Sequence, residues 1–215
     1  DKTEFFVIGT DIALKRLPSL TLKLGESIIC PSTSVKNIGV IFDRTLNMSL
    51  HINNLSKTVN FHIRNLWRVR RFLTKDACHH AVRALVLSRI DYANSLFLGC
   101  RAQDLKRLQR LQNKAARLVF ACGRDRCSSE LLNSLHWLPV KERINFKIAL
   151  HIFNSLSGKS PSYLRDLITL LSHTATERRF GLRSSSDMTK LTIIRSHKGA
   201  GDCSFSVAGP RVWNE

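Results

Sequence analysis

The spacing of apolar positions changes near residue 49, and that change divides the chain. Before it lie short runs rich in Val, Ile, Leu and Phe: EFFVIGT at 4–10, LTLKL at 20–24, ESIIC at 26–30 and SVKNIGVIF at 34–42. Gly, Pro and Ser separate them, which predicts a small antiparallel sheet. Gly25 is placed to turn one hairpin. Gly39, inside the last run, predicts a bulge or a close backbone approach. So small a sheet has limited stability of its own.

From about 49 to 169 the period is helical. On a helical wheel Ile52, Leu55, Val59, Ile63, Leu66 and Leu73 share one arc, and Lys57, Arg64, Arg68 and Arg71 share the arc opposite. Phe61 and Trp67 flank the cations and offer stacking surfaces for bases or sugars, although Trp67 equally fits a residue packed at the core margin. A second helix is predicted from Thr74 or Lys75 to Phe97, with Gly99 as its stop. Ala77, Ala81, Val82, Leu85, Val86, Ile90 and Leu96 make it apolar around much of its circumference, which predicts a central position. Asp91 and Tyr92 near its end read as an acid and a phenol of a site, or as partners of neighbouring helix ends or arginines. A third helix covers about 101–122, its apolar arc formed by Leu105, Leu108, Leu111, Ala115, Leu118 and Val119. Arg107, Arg110, Lys114 and Arg117 step by 3, 4 and 3 along another face. Without acidic partners at i±4 these cations repel one another, a cost that a bound anion relieves.

Beyond a turn at 122–128, Ser128 or Ser129 is placed to cap a short helix at about 129–135. Pro139 fits the first turn of the next helix, which runs to about Leu156 with Ile144, Ile148, Ile152 and Leu156 as its core stripe. Ser157-Gly158 ends it, and Pro161 opens a short helix to about Leu171. Residues 172–200 read as an exposed polar linker. CSFSVAGPRVW reads as a strand-like tail that tucks Trp213 onto the body. The expected fold is mainly α with a small N-terminal antiparallel β sheet, in regions 1–48, 49–126, 127–171 and 172–215.

Charge sharpens this picture. The net charge is +18, and residues 57–126 hold 16 basic against 4 acidic residues. Such an excess implies a polyanionic partner, most simply nucleic-acid phosphate, although an anionic membrane surface also fits the charge. No apolar run reaches the roughly 18–20 residues needed to span a bilayer. FFVIGT is too short for a signal peptide and follows acidic residues. Cys30, Cys78, Cys100, Cys122, Cys127 and Cys203 are scattered, which predicts reduced thiols in the cytosol or nucleus. Cys122 and Cys127 have only His136 further on, so no fourth zinc ligand is evident. Polymerase chemistry needs two nearby carboxylates to hold two metal ions. The chain has no Asp-Asp, Glu-Glu or Asp-Glu dipeptide, and no GxxxxGK[ST], HExxH or GxSxG motif. No catalytic residue and no metal ligand is assigned, and this segment alone is expected to be inactive.

Seven phrases occur in one order: KTE at 2–4, SVKNIGVIFD at 34–43, SRIDYANSLF at 88–97, LQNKAARL at 111–118, LHWLPVKERI at 135–144, SPSYLRDL at 160–167 and GDCSFSVAGPRVWNE at 201–215. Together they resemble the C-terminal third of the reverse transcriptase of LINE-type, non-LTR retrotransposons of Jockey-like lineages. The resemblance implies that residues 1–48 are the end of the palm. Lys2 would then belong to motif D, near the incoming nucleotide. Lys36, Asn37, Gly39 and Val40 would form a hairpin like the primer grip. Residues 49–126 would be the thumb, holding template–primer RNA and DNA by their phosphates, followed by a C-terminal helical extension at 127–171 and a polar linker and tail. Lys57, Arg64, Arg68, Arg71, Arg107, Arg110, Lys114 and Arg117 are the candidate contacts. The resemblance further implies a fragment of a longer reading frame whose missing palm and fingers carry the Asp-Asp pair. The parent enzyme would use Mg²⁺; no cofactor is expected in this segment. The expected location is nuclear or cytoplasmic, without a membrane partner. The alternative readings are a non-catalytic basic helical binding protein derived from a retroelement, and a decayed element copy.

Overall fold

A computed structural model describes residues 4–17, 20–170, 190–196 and 199–215. The fold is mainly helical with a small β part at the N-terminus. It divides into two compact units, Asp1–Val140 and Lys141–Glu215.

In the first unit the β part is three two-stranded pairings rather than one sheet. β1 (Phe5–Phe6) pairs in parallel with β4 (Pro31–Ser32). β2 (Leu22–Leu24) and β3 (Ser27–Ile29) form an antiparallel hairpin, and so do β5 (Ser34–Asn37) and β6 (Val40–Asp43). Between β1 and β2 lies a helix the apolar pattern did not indicate, α1 (Asp11–Arg16). Its signals are the cap and the charges: Thr10 Oγ1 accepts from Ala13 N, Asp11 opens it, and Lys15 and Arg16 close it. Gly25 turns the β2–β3 hairpin at φ +60°. Gly39 makes no bulge; with Ile38 it forms a two-residue turn, at φ +80° and +45°. Positive φ at both central residues is the turn that matches strand twist, and it strains the β-branched Ile38. The chain then runs into the helices through Asp43, whose Oδ1 accepts from Thr45 N, Thr45 Oγ1 and Asn47 N.

α2 (Ser49–Val69) buries Ile52, Leu55, Val59, Ile63 and Leu66, the arc its period predicts. The next helix does not run unbroken to Phe97. α3 (Lys75–Val82) passes through a π turn at Arg83–Leu87 into α4 (Ser88–Asp91). Tyr92 leaves the helix, Ala93 takes φ +52°, and a 3₁₀ turn covers Asn94–Phe97. Nor is this segment central all round: Val82, Val86, Leu87 and Ile90 are buried, whereas Leu85 and Leu96 are exposed. α5 (Ala102–Phe120) buries Leu108, Leu111, Ala115, Leu118 and Val119.

Three side-chain links fix how α2 and α5 lie. Ser49 Oγ donates to Asp104 Oδ2 at 2.6 Å, Lys114 Nζ lies 3.4 Å from Asn60 Oδ1, and Arg70 reaches the carbonyls of Leu118 and Val119. Start, middle and end match, so the two helices run side by side in the same direction. Residues 70–101 carry the chain back between them. α6 (Ser128–Ser134) follows; Cys127 is its N-cap rather than Ser128 or Ser129. Gln109 and Gln112 of α5 then tie down the following connection, through Val140 N and the Leu138 carbonyl.

The second unit is built on α7 (Val140–Leu156), which Pro139 immediately precedes rather than opens. Its Ile144, Ile148 and Ile152 are buried, and Gly158 closes it at φ +69°. α8 (Ser162–Arg165) is shorter than its sequence suggested. Most of the expected linker, 172–189 and 197–198, lies outside the described residues. Of its described residues, Lys190 and 193–195 are exposed and without regular structure, whereas Leu191 is buried, bridges Leu170, and pairs its backbone with the Asn214 side chain at 3.0 and 2.8 Å. α9 (Gly199–Asp202) and α10 (Phe205–Asn214) complete the chain. The tail is thus helical, not strand-like. Small residues let it pack closely: Ala208 and Gly209 are buried, and a Cβ on Gly209 would lie 2.7 Å from Ile152 Cδ1.

Candidate nucleic-acid interface

Once the apolar arc of α2 is packed inward, the opposite arc has to face water. Lys57, Arg64, Arg68 and, just past the helix, Arg71 are all exposed. Among the described residues none of them has an ion-pair or hydrogen-bond partner. No Asp or Glu occurs between Asp43 and Asp76. Phe61 and Trp67 stand on either side of this stripe, 60% and 43% exposed. Arg71 Cζ sits 4.6 Å from the ring centroid of Phe72, a third exposed aromatic that the sequence reading passed over.

The stripe on α5 has another environment. Arg110 is exposed, but Arg107 and Arg117 are half-buried. Arg117 Nη2 donates to Ser128 Oγ at 2.6 Å, while its buried Nε lacks a partner. Lys114 leans onto Asn60 of α2, which brings it to the edge of the α2 stripe. Arg70, beside Arg71 in sequence, turns inward. Its Nε, Nη1 and Nη2 donate to the carbonyls of Leu118, Leu73 and Val119 at 2.8 to 2.9 Å. A guanidinium there satisfies the open carbonyls at the end of α5 and complements the helix dipole.

The β5–β6 turn lies beside α2. Lys36 and Asn37 are exposed, Val40 is buried, and Gly39 lines a groove of about 410 Å³ with His51, Asn54, Thr58, Arg89 and Tyr92. Tyr92 Oη donates to the Ile38 carbonyl at 2.6 Å, so this phenol fixes the strained turn. Asn54, Phe61 and Arg68 recur every seven residues and form one ridge from the groove into the basic stripe. Burial and then the Arg89 guanidinium hold the His62 imidazole below its usual range, which places a further cation near α2. Lys2 lies outside the described residues.

All six cysteines are free thiols. Among the described residues no three His, Cys, Asp or Glu side chains stand together as a metal-binding group. Within the same residues no helix is long and apolar enough to cross a membrane. The chain matches no protein-family model, no curated protein and no solved structure in the comparisons made.

Proposed function

We propose that the first unit grips nucleic acid by its phosphates, without reading sequence. The α2 stripe is the principal surface and Lys114 and Arg110 are its margin. The observation that carries this reading is the exposed set Lys57, Arg64, Arg68 and Arg71, in a stretch free of acidic residues and without ion-pair or hydrogen-bond partners among the described residues. Cations held together without counter-charges favour a ligand that brings several anions at fixed spacing, as a sugar–phosphate chain does. In the wider proposal, motivated by the resemblance of the seven phrases, the chain is the palm-end, thumb and C-terminal part of a non-LTR retrotransposon reverse transcriptase. It would hold template–primer RNA and DNA in the nucleus or cytoplasm. The catalytic Asp pair and its Mg²⁺ would belong to the missing palm, and the groove beside Gly39 would face the primer-grip side.

Binding of an RNA–DNA duplex across salt tests the grip. With four phosphate contacts the logarithm of affinity falls with a slope of about −3.6 against log salt, roughly a 150-fold loss between 50 and 200 mM. Absence of binding at 50 mM, or affinity indifferent to salt, would refute it.

A further inference from the structure

This inference rests on the grip proposed above and narrows its substrate. The α2 face is more than a row of charges. Phe61 and Trp67 are largely exposed on the two flanks of the cations, and Phe72 extends the surface with Arg71 over its ring. Phosphates alone need no aromatic neighbours. A duplex keeps its base faces stacked on one another, so only unpaired bases can lie flat on these rings. Phe61 and Trp67 are six residues apart, about 9 Å along the helix axis, against about 3.4 Å per stacked step, so they suit two bases that have splayed apart.

An anionic bilayer is the competing surface for a basic helix with aromatics. Lying in a bilayer interface requires an apolar face opposite the charged one. The opposite face of α2 is committed to the core, with Ile52 and Val59 wholly buried. The aromatics border the cations instead, as in grooves that stack single strands. We propose that α2 binds single-stranded nucleic acid, with phosphates on Arg64, Arg68 and Arg71 and unpaired bases on Trp67 and Phe61.

Fluorescence titration of the full chain tests this, using a 12-nucleotide single strand, a 12-base-pair RNA–DNA duplex and anionic phospholipid vesicles as separate ligands. Trp137 is buried and Trp213 half-buried, so Trp67 is the most exposed indole. The single strand is expected to quench its emission, and Trp67→Phe should remove the quenched component while largely retaining binding. Trp67→Ala should lower single-strand affinity roughly tenfold and leave duplex affinity within about twofold. Phe61→Ala should act in the same direction and serves as the second variant if Trp67→Ala misfolds. Equal losses on both nucleic acids, no Trp67 quenching, or preferential binding to vesicles would overturn the proposal. Duplex binding without single-strand binding defeats this inference and leaves the grip standing; binding to neither defeats both.

Discussion

The two basic helices, alike in sequence, differ in what surrounds their cations. On α2 and just past it every cation of the stripe is exposed, and none has an ion-pair or hydrogen-bond partner among the described residues. On α5 the same i, i+3, i+4 spacing yields one exposed arginine, a lysine leaning on Asn60, and Arg117 drawn to Ser128 with its Nε buried. Spacing places residues on one face of a helix, but the neighbouring element decides whether that face is surface. Arg70 and Arg71 differ for another reason, being about a third of a turn apart: one ties down the end of α5, the other lies over an exposed ring.

The largest expected effect separates the two helices. Arg64→Glu, Arg68→Glu and Arg71→Glu together should weaken duplex binding roughly 500-fold at 0.1 M salt, from three lost contacts, with thermal stability little changed. The matching reversal of Arg107, Arg110, Lys114 and Arg117 should weaken binding about tenfold, chiefly through Arg110, and lower the melting temperature. Binding isotherms beside melting curves would show both; equal binding losses would erase the distinction.

Arg70→Ala should cost about 3 kcal/mol of stability by urea unfolding, because it leaves carbonyls at the end of α5 without their charged donor. It should hardly alter the salt dependence of binding.

Acid should act on the fold and spare the α2 face, since arginine stays charged. His51 Nδ1 accepts from Ile41 N and His79 Nε2 accepts from Trp137 Nε1, so both rings serve while neutral. Burial lowers the affinity of both for protons; at His79 the nearby Arg83, His80 and Lys75 add to the lowering and Asp76 opposes it. Below about pH 6.5 the unfolded chain takes up protons that the folded chain resists, so stability is full above that pH and falls as the pH drops. Unfolding midpoints at pH 7.5 and 5.0 check the direction. The smallest effect is expected for Arg117→Ala, about 1 kcal/mol or less, because losing the Ser128 bond is offset by removing the unpaired Nε.

Much of this was legible in the sequence. The mainly helical fold, the α2 core arc and the Gly25 turn follow from period and turn chemistry. α1 escaped because a strand reading of 4–43 ignored the Thr10 cap and the charges that follow it. The break after Asp91 and the helical tail depend on tertiary packing: Tyr92 leaves its helix and bonds the Ile38 carbonyl, and Gly209 packs against Ile152. At the candidate interface the wheel separated the cations of α2 from its core arc. It also set Arg71 with those cations and left Arg70 out, but it could not foresee the carbonyls that Arg70 bonds or Ser128 beside Arg117, because those depend on contacts remote in sequence.

The most direct measurement is the slope of log affinity against log salt for an RNA–DNA duplex, taken for the intact chain and for the Arg64→Glu, Arg68→Glu, Arg71→Glu variant. A polyanion grip centred on α2 predicts a slope shallower by about 2.7 in the variant, close to 0.9 for each lost phosphate contact. An unchanged slope would place the contacts elsewhere and contradict the account.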